Sequence, residues 1–224
     1  LKEINQTKPH PFCIANVLDC ALLKIIYWAH MNWDNTLQFL VKEHVGFFKA
    51  SSNYDIFTLD TNTQVLKCRE EKIGIFTKIL RFTDYASMTP FNVEIRDMDG
   101  QVLVEISRGI SLLRSTVTVK DGAGRVLGFF RQKLMSIGGK FSVLDAQEQE
   151  LFTLQGKWTG WDFKFLRDSV EYAHISKKWA GMGKEFFTTA DNYVLDINST
   201  LSTQTDTKKL ILAAVMCIDK VFKE

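Results

Sequence analysis

The sequence Asp97-Met98-Asp99-Gly100-Gln101-Val102 returns as Asp121-Gly122-Ala123-Gly124-Arg125-Val126, as Asp145-Ala146-Gln147-Glu148-Gln149-Glu150 and, shortened, as Asp168-Ser169-Val170-Glu171. The leading Asp residues stand 24, 24 and 23 positions apart. Each phrase is a turn seeded by Asp between runs in which apolar and polar residues alternate. Alternation with period two marks a strand with one buried face, and Asp and Gly tolerate the backbone angles of tight hairpin turns. A repeat of this length predicts stacked β-hairpins in an antiparallel sheet built from sequence neighbours.

Outward from this core the pattern continues. Strands are expected near 37–45, 54–59 and 64–69, the last two flanking Asp60-Thr61-Asn62-Thr63. Further strands are expected near 91–96, 101–107, 113–120, 125–133, 140–145, 150–155, 162–167, 171–178, 185–189 and 193–197, and a short helix over 73–82. The total is about a dozen strands. From Leu210 to Ile218 no position is polar, so every face of a helix there is apolar. A membrane span needs roughly 20 such residues, so a protein interior suits this segment better. Leu210, Ile211, Leu212, Val215, Met216 and Ile218 are its large side chains. A hairpin sheet around one apolar helix is a closed antiparallel β-barrel with a helical plug, and closure removes the exposed strand edges.

With 224 residues, 46% hydrophobic and 24% charged, the chain suits one globular domain over 31–224. Residues 1–30 stand outside the hairpin pattern as an N-terminal extension. Their apolar stretch 12–29 is interrupted by Asp19 and Lys24 and reads as a packed helix, an upstream extension or an anchor. Many of the 17 Phe residues alternate with polar ones, as inward-facing barrel positions do. The net charge of +2 makes no case for nucleic acid. Between residues 125 and 184, however, ten Lys or Arg face six Asp or Glu, and three of the five Trp fall there. That surface is either a solvated barrel rim or one drawn to anionic lipid.

Cys13, Cys20, Cys68 and Cys217 show no metal-ligand spacing, which fits a reducing, cytoplasmic compartment. His10, His30, His44 and His174 are scattered, with no evident His-Asp pairing. Gly138-Gly139-Lys140 is too short for a phosphate loop and no nucleophile elbow occurs, so an enzyme is not expected.

Several segments together resemble the phospholipid scramblase family, and its prokaryotic-type members more closely. They are Gly-Lys-Trp-Thr-Gly-Trp-Asp-Phe at 156–163, Ile-Ser-Lys-Lys-Trp-Ala-Gly at 175–181, and Thr-Ala-Asp-Asn-Tyr at 189–193 before the apolar helix. Arg131-Gln132-Lys133, Ser136-Ile137-Gly138-Gly139-Lys140-Phe141 and Met88-Thr89-Pro90-Phe91 support the likeness, which runs over about 38–224. It implies a barrel like the C-terminal domain of tubby proteins, twelve antiparallel strands around a hydrophobic helix. The activity it implies is calcium-stimulated movement of phospholipid between leaflets. In animal members the calcium loop has Asp at its first, third and twelfth positions; here these are Thr189, Asp191 and Thr200. Asp191, helped by Asp196, is what remains as a metal candidate, whereas a hard cation takes six to eight oxygens.

Three functions follow as expectations. One is binding of an anionic phospholipid surface without chemistry, peripheral to the membrane, through Lys157, Trp158, Trp161, Lys164, Lys177, Lys178 and Lys184. A second is phospholipid scrambling itself, although the closing helix offers no polar path for a headgroup. A third is a protein- or nucleic-acid-interaction barrel, since 173–186 resembles a nuclear import stretch of animal members.

Overall fold

The computed structural model describes residues 33–44, 53–70, 89–109, 116–132, 140–157, 161–177 and 192–222. These form the strands β1 (Gln38–Glu43), β2 (Tyr54–Thr58), β3 (Gln64–Glu70), β4 (Phe91–Asp97), β5 (Val102–Arg108) and β6 (Thr116–Asp121). They continue as β7 (Val126–Gln132), β8 (Phe141–Asp145), β9 (Glu150–Lys157), β10 (Asp162–Arg167), β11 (Val170–Ser176) and β12 (Asn192–Ile197). Short 3-10 turns η1 (Trp33–Asn35) and η2 (Ser199–Leu201) precede β1 and the helix α1 (Thr205–Phe222). Each strand pairs antiparallel with its sequence neighbour, and β1 pairs with β12, which closes the barrel. The expected strand at 185–189, the helix at 73–82 and the extension 1–30 lie outside the described residues.

The repeated phrases fold as the sequence expects, with one local difference. The Asp97, Asp121 and Asp145 N–H groups donate to the carbonyls of Gln101, Arg125 and Gln149 at 3.0, 2.9 and 3.0 Å. In return each Asp carboxylate accepts the N–H of that same residue, at 2.8, 2.9 and 2.8 Å. The residue three after each Asp takes positive φ: Gly100 at 85°, Gly124 at 82° and Glu148 at 61°. This is a three-residue loop with a bulge, and the pairing register shifts one step inside each hairpin. The fourth phrase is a different reversal. Asp168 and Ser169 both have positive φ, 50° and 65°, so two residues turn the chain in the mirror-image geometry that suits strand twist.

Because the barrel is an uninterrupted meander, its connections sort into two rims. The five tight hairpins, the end of β12 and the start of α1 share one rim, here called the hairpin rim. The longer connections, beginning with β1 to β2 and ending with β11 to β12, leave from the opposite rim. The closing seam is buried on both faces, for Phe39, Leu40 and Val41 are buried opposite Tyr193, Val194 and Leu195.

The core is the space around α1. Every residue from Leu210 to Ile218 is buried, including Leu210, Ile211, Leu212, Val215, Met216 and Ile218. Helix packing is closest against β5, β6 and β7. A Cβ on Gly128 in β7 would stand 2.0 Å from the Leu144 carbonyl oxygen and 3.1 Å from Leu210 Cδ2, so only Gly lets sheet and helix meet there. Two clasps hold the helix start. Arg125 donates to Asp206 at 2.9 and 3.1 Å and to Asp121 at 2.9 Å, tying α1 to the β6–β7 hairpin. The Thr205 hydroxyl donates to the Asp34 carboxylate at 2.9 Å, and the Lys208 ammonium donates to the Asp34 main-chain oxygen.

Lys208 marks the end of the apolar run in the sequence, yet its side chain is fully buried. Its Nζ lies 3.5 Å from Asp34 Oδ1 and 5.8 Å from the centre of the Trp33 ring. Burial pushes its pKa below the ordinary lysine value, and the Asp34 charge and hydrogen bond pull in the opposite direction.

Candidate functional site

Of the basic and aromatic residues expected to meet lipid, the structure joins Trp161 and Lys177. Gly156 in β9 sets the approach, since a Cβ there would stand 2.1 Å from the Asp162 carbonyl oxygen and 2.5 Å from Phe163 Cδ1. β10 therefore starts close against β9, with Trp161 just before it at a positive φ of 47°. The Trp161 carbonyl accepts the Lys177 N–H at 3.1 Å, which ties the entry of β10 to the exit of β11. Its ring stacks on Tyr193 at 4.8 Å and 22° and meets the edge of Phe163 at 6.2 Å. Over that platform sits the Lys177 ammonium, 4.4 Å from the Trp161 ring centre and 5.4 Å from that of Tyr193. Trp161 and Lys177 are half-buried, while Tyr193 is closed off beneath them. The result is a cation raised on a rigid aromatic base at the long-connection rim, worth about 0.5–1 kcal/mol in cation–π attraction at such exposure.

The other candidates divide. The backbone of Lys157 ends β9 at the same rim, but its side chain, together with Trp158, Lys178, Lys184 and Asp191, lies outside the described residues. Lys164 is in the barrel wall, where its ammonium donates to Glu171 at 2.7 Å, and that bond raises its pKa. Its charge is spent locally. Asp196 also stands apart, toward the hairpin rim, accepting a hydrogen bond from the Gln38 amide at 3.1 Å. With Asp60, Asn35 and Asn198 it lines a groove of about 580 Å³. Among the described residues no group of three His, Cys, Asp or Glu side chains could hold a metal ion, and Asp191 lies outside them.

Tyr193 and Phe163 are the members of the aromatic base that sequence reasoning passed over. Both fall in the quoted segments, but alternation assigns them to the core and says nothing of what they stack against. Sequence reasoning also missed two His-Asp pairs formed across strands. His44 Nε2 lies 2.6 Å from Asp55 Oδ2, and His174 Nε2 lies 2.7 Å from Asp162 Oδ1. Partial burial raises the Asp55 pKa, but hydrogen bonds and charge from Arg69 and His44 outweigh it and hold that pKa below the ordinary value. These are hydrogen-bonded pairs of the outer wall, with Arg69 and Glu171 as further partners.

A sequence profile of the scramblase family matches residues 40–224, the barrel from within β1 onward and its helix. The chain belongs to the scramblase family. A crystal structure of an Arabidopsis thaliana protein superposes on this scramblase-family chain with a TM-score of 0.42 at 14% identity, covering 81% of this chain and 94% of that one. Membership associates the barrel with phospholipid in general. No helix among the described residues is long and apolar enough to cross a membrane, which says nothing about strands.

Proposed function

We propose that this scramblase-family barrel binds anionic phospholipid at the bilayer surface, peripherally, from the cytoplasm and without covalent chemistry. The observation that carries the reading is Lys177 mounted on the Trp161–Tyr193 stack. An indole beside an ammonium at the edge of a folded domain suits the headgroup layer, where amphipathic rings and cations both gain. Lys157, Trp158, Lys178 and Lys184 extend the same chemistry along the chain on either side. Transbilayer movement with α1 as the span is the less supported reading, since every residue from Leu210 to Ile218 is buried within the barrel.

The test is co-sedimentation with vesicles containing phosphatidylserine, against vesicles of phosphatidylcholine alone, over a salt series. Salt-sensitive binding to the anionic vesicles is expected, and Lys177→Gln should weaken it by about fivefold, the equivalent of roughly 1 kcal/mol per basic residue at the surface. Equal binding to both vesicle types, or none, overturns the proposal.

A further inference from the structure

We infer that the chain carries its own cover for the closing seam: the apolar stretch 12–29 packs as a helix across the outer face of β11, β12, β1 and β2. The seam itself calls for a cover. Alternation along a strand sends neighbouring side chains to opposite faces. Phe39 and Val41 belong to the core around α1, as do Tyr193, Leu195 and Ile175, so Leu40, Val194 and Ser176 point outward. Pairing sets these side by side, with Ser176 opposite Val194, Val194 opposite Leu40, and Leu40 opposite Phe57. Yet Val194 is 0% exposed, and Leu40 and Ser176 are each 3% exposed. Elsewhere on the outer wall Lys164 and Glu171 keep 45% and 39% of their side-chain surface in water. A side chain on the outside of a barrel is closed off completely only beneath a further layer of structure.

The stretch 12–29 has the pattern, the length and the point of attachment that such a layer needs. Ile14, Leu18, Ala21, Ile25 and Trp28 recur at alternating steps of four and three, which puts them on one stripe of a helix. Asn16, Asp19 and Lys24 fall on the opposite side, so the polar residues that interrupt the stretch leave the stripe unbroken. From Ile14 to Trp28 the stripe is about 21 Å long at 1.5 Å per residue. Four strands about 4.8 Å apart span roughly 14 Å from first to last, so the stripe crosses them all. The stretch also joins the barrel beside this row. Trp33 packs against the core and Asp34 accepts the Thr205 hydroxyl at 2.9 Å, which fixes the chain just before β1. Leu40 is two residues into β1, about 7 Å along the strand, and the four steps from Ala29 to Trp33 reach about 14 Å when extended. An apolar row meant for a membrane or a second protein stands open on the free molecule. This row is closed, which points to a partner within the same chain.

The test uses the full chain with Val194→Cys, a small and weakly polar replacement whose thiol reports on the outer face. At neutral pH that thiol should resist alkylation. Adding Leu18→Glu puts a charge on the stripe, and labelling at position 194 should then rise at least tenfold while Cys217, buried inside the barrel, stays protected. Leu23→Glu, on the polar side of the same helix, should change labelling less than twofold. Continued protection of position 194 beside Leu18→Glu overturns the inference, as does equal opening by Leu23→Glu. A second arm needs no disruptive change and decides the matter even where Leu18→Glu loosens the barrel. Phe57, half-buried in the same row with the Lys42 ammonium 4.2 Å from its ring centre, is replaced by its benzoyl derivative and irradiated. Mass spectrometry should find the photo-adduct within residues 12–29. Adducts confined to 44–53 or 177–191 give the cover to another segment and overturn the inference.

Discussion

Replacing Asp34 by Ala removes the carboxylate that lies 3.5 Å from the buried Lys208 ammonium and accepts the Thr205 hydroxyl. Truncating one partner of a fully buried ion pair costs about 3–5 kcal/mol, because the remaining charge is stranded out of water. Here Lys208 is fully buried while Asp34 is 36% exposed, so water relieves part of the penalty. The expected loss is about 2–3 kcal/mol. The reverse truncation is asymmetric. Lys208→Met leaves a carboxylate that solvent reaches and adds apolar volume inside the barrel, for a cost of about 0–1 kcal/mol. In the double variant Asp34→Ala no longer strands a charge, so the coupling energy should be about 1.5–2.5 kcal/mol. Urea denaturation of the four proteins measures it, provided the slopes stay equal. A loss below about 0.5 kcal/mol for Asp34→Ala would refute the reasoning, as would Lys208→Met costing as much as Asp34→Ala. The pH dependence supplies a second check. Lys208 has a pKa below its ordinary value in the native state, so the unfolded chain binds more protons between the two values. Stability should therefore rise with pH through that window and level off near the ordinary lysine value of 10.5; Lys208→Met should abolish this component.

Three further outcomes follow from the same packing. Ile211, at 0% exposure inside a closed sheet that cannot collapse, should cost about 4 kcal/mol when cut to Ala, the upper part of the range for buried aliphatics, as read by urea denaturation. Gly124→Ala and Gly128→Ala separate two roles of glycine by melting temperature. At Gly124 the space is open and φ is 82°, so the penalty is about 1–2 kcal/mol of backbone strain; at Gly128 the Leu144 carbonyl blocks a Cβ and the loss should be larger. The Cys217 thiol is buried and its pKa is pushed up by that burial, so its peptide should escape alkylation at neutral pH until denaturant is added, as followed by mass spectrometry.

The barrel was legible because its strands obey a local rule, alternation between turns at a fixed period, and because a helix apolar on every face has few places to go. Local rules also account for what stayed hidden. In the Asp145 phrase the left-handed position is held by Glu148, with φ of 61°, and nothing in the residue type announces it. In the fourth phrase Asp168 lies in a two-residue turn, whereas Asp97, Asp121 and Asp145 each end a strand, and the shared Asp does not announce that change of place. Lys208 ends the apolar run by composition, yet burial depends on η1 arriving from 174 positions earlier to meet its ammonium. The site divides in the same way. Trp161 and Lys177 were marked by their chemistry, but the Tyr193 surface beneath them exists because β10, β11 and β12 are neighbours in the closed sheet. Lys164 carries the same formal charge as Lys177 and was grouped with it. Glu171, seven residues on along the hairpin, takes the Lys164 ammonium, whereas the Lys177 ammonium lies over the Trp161 ring.

A plugged barrel also limits how lipid can be engaged. Moving α1 into a bilayer would transfer its apolar surface from one apolar setting to another, with little gain for the helix itself. The barrel lining, with Ile95, Ile106, Phe163, Phe165 and Leu195 among its fully buried side chains, would lose its partner and face water. At about 1.5–3 kcal/mol per large side chain, exposing these five alone costs roughly 7–15 kcal/mol, comparable to the whole stability of an ordinary domain. The helix would also bring Asp206, Lys208, Lys209, Asp219 and Lys220 toward hydrocarbon, each at a further cost of about 2.5–3.5 kcal/mol near its centre. Engagement through the outside of an intact barrel incurs neither cost. The surface that carries function is therefore to be sought at a rim, where the aromatic base under Lys177 already stands, and not in the helix that the sheet encloses.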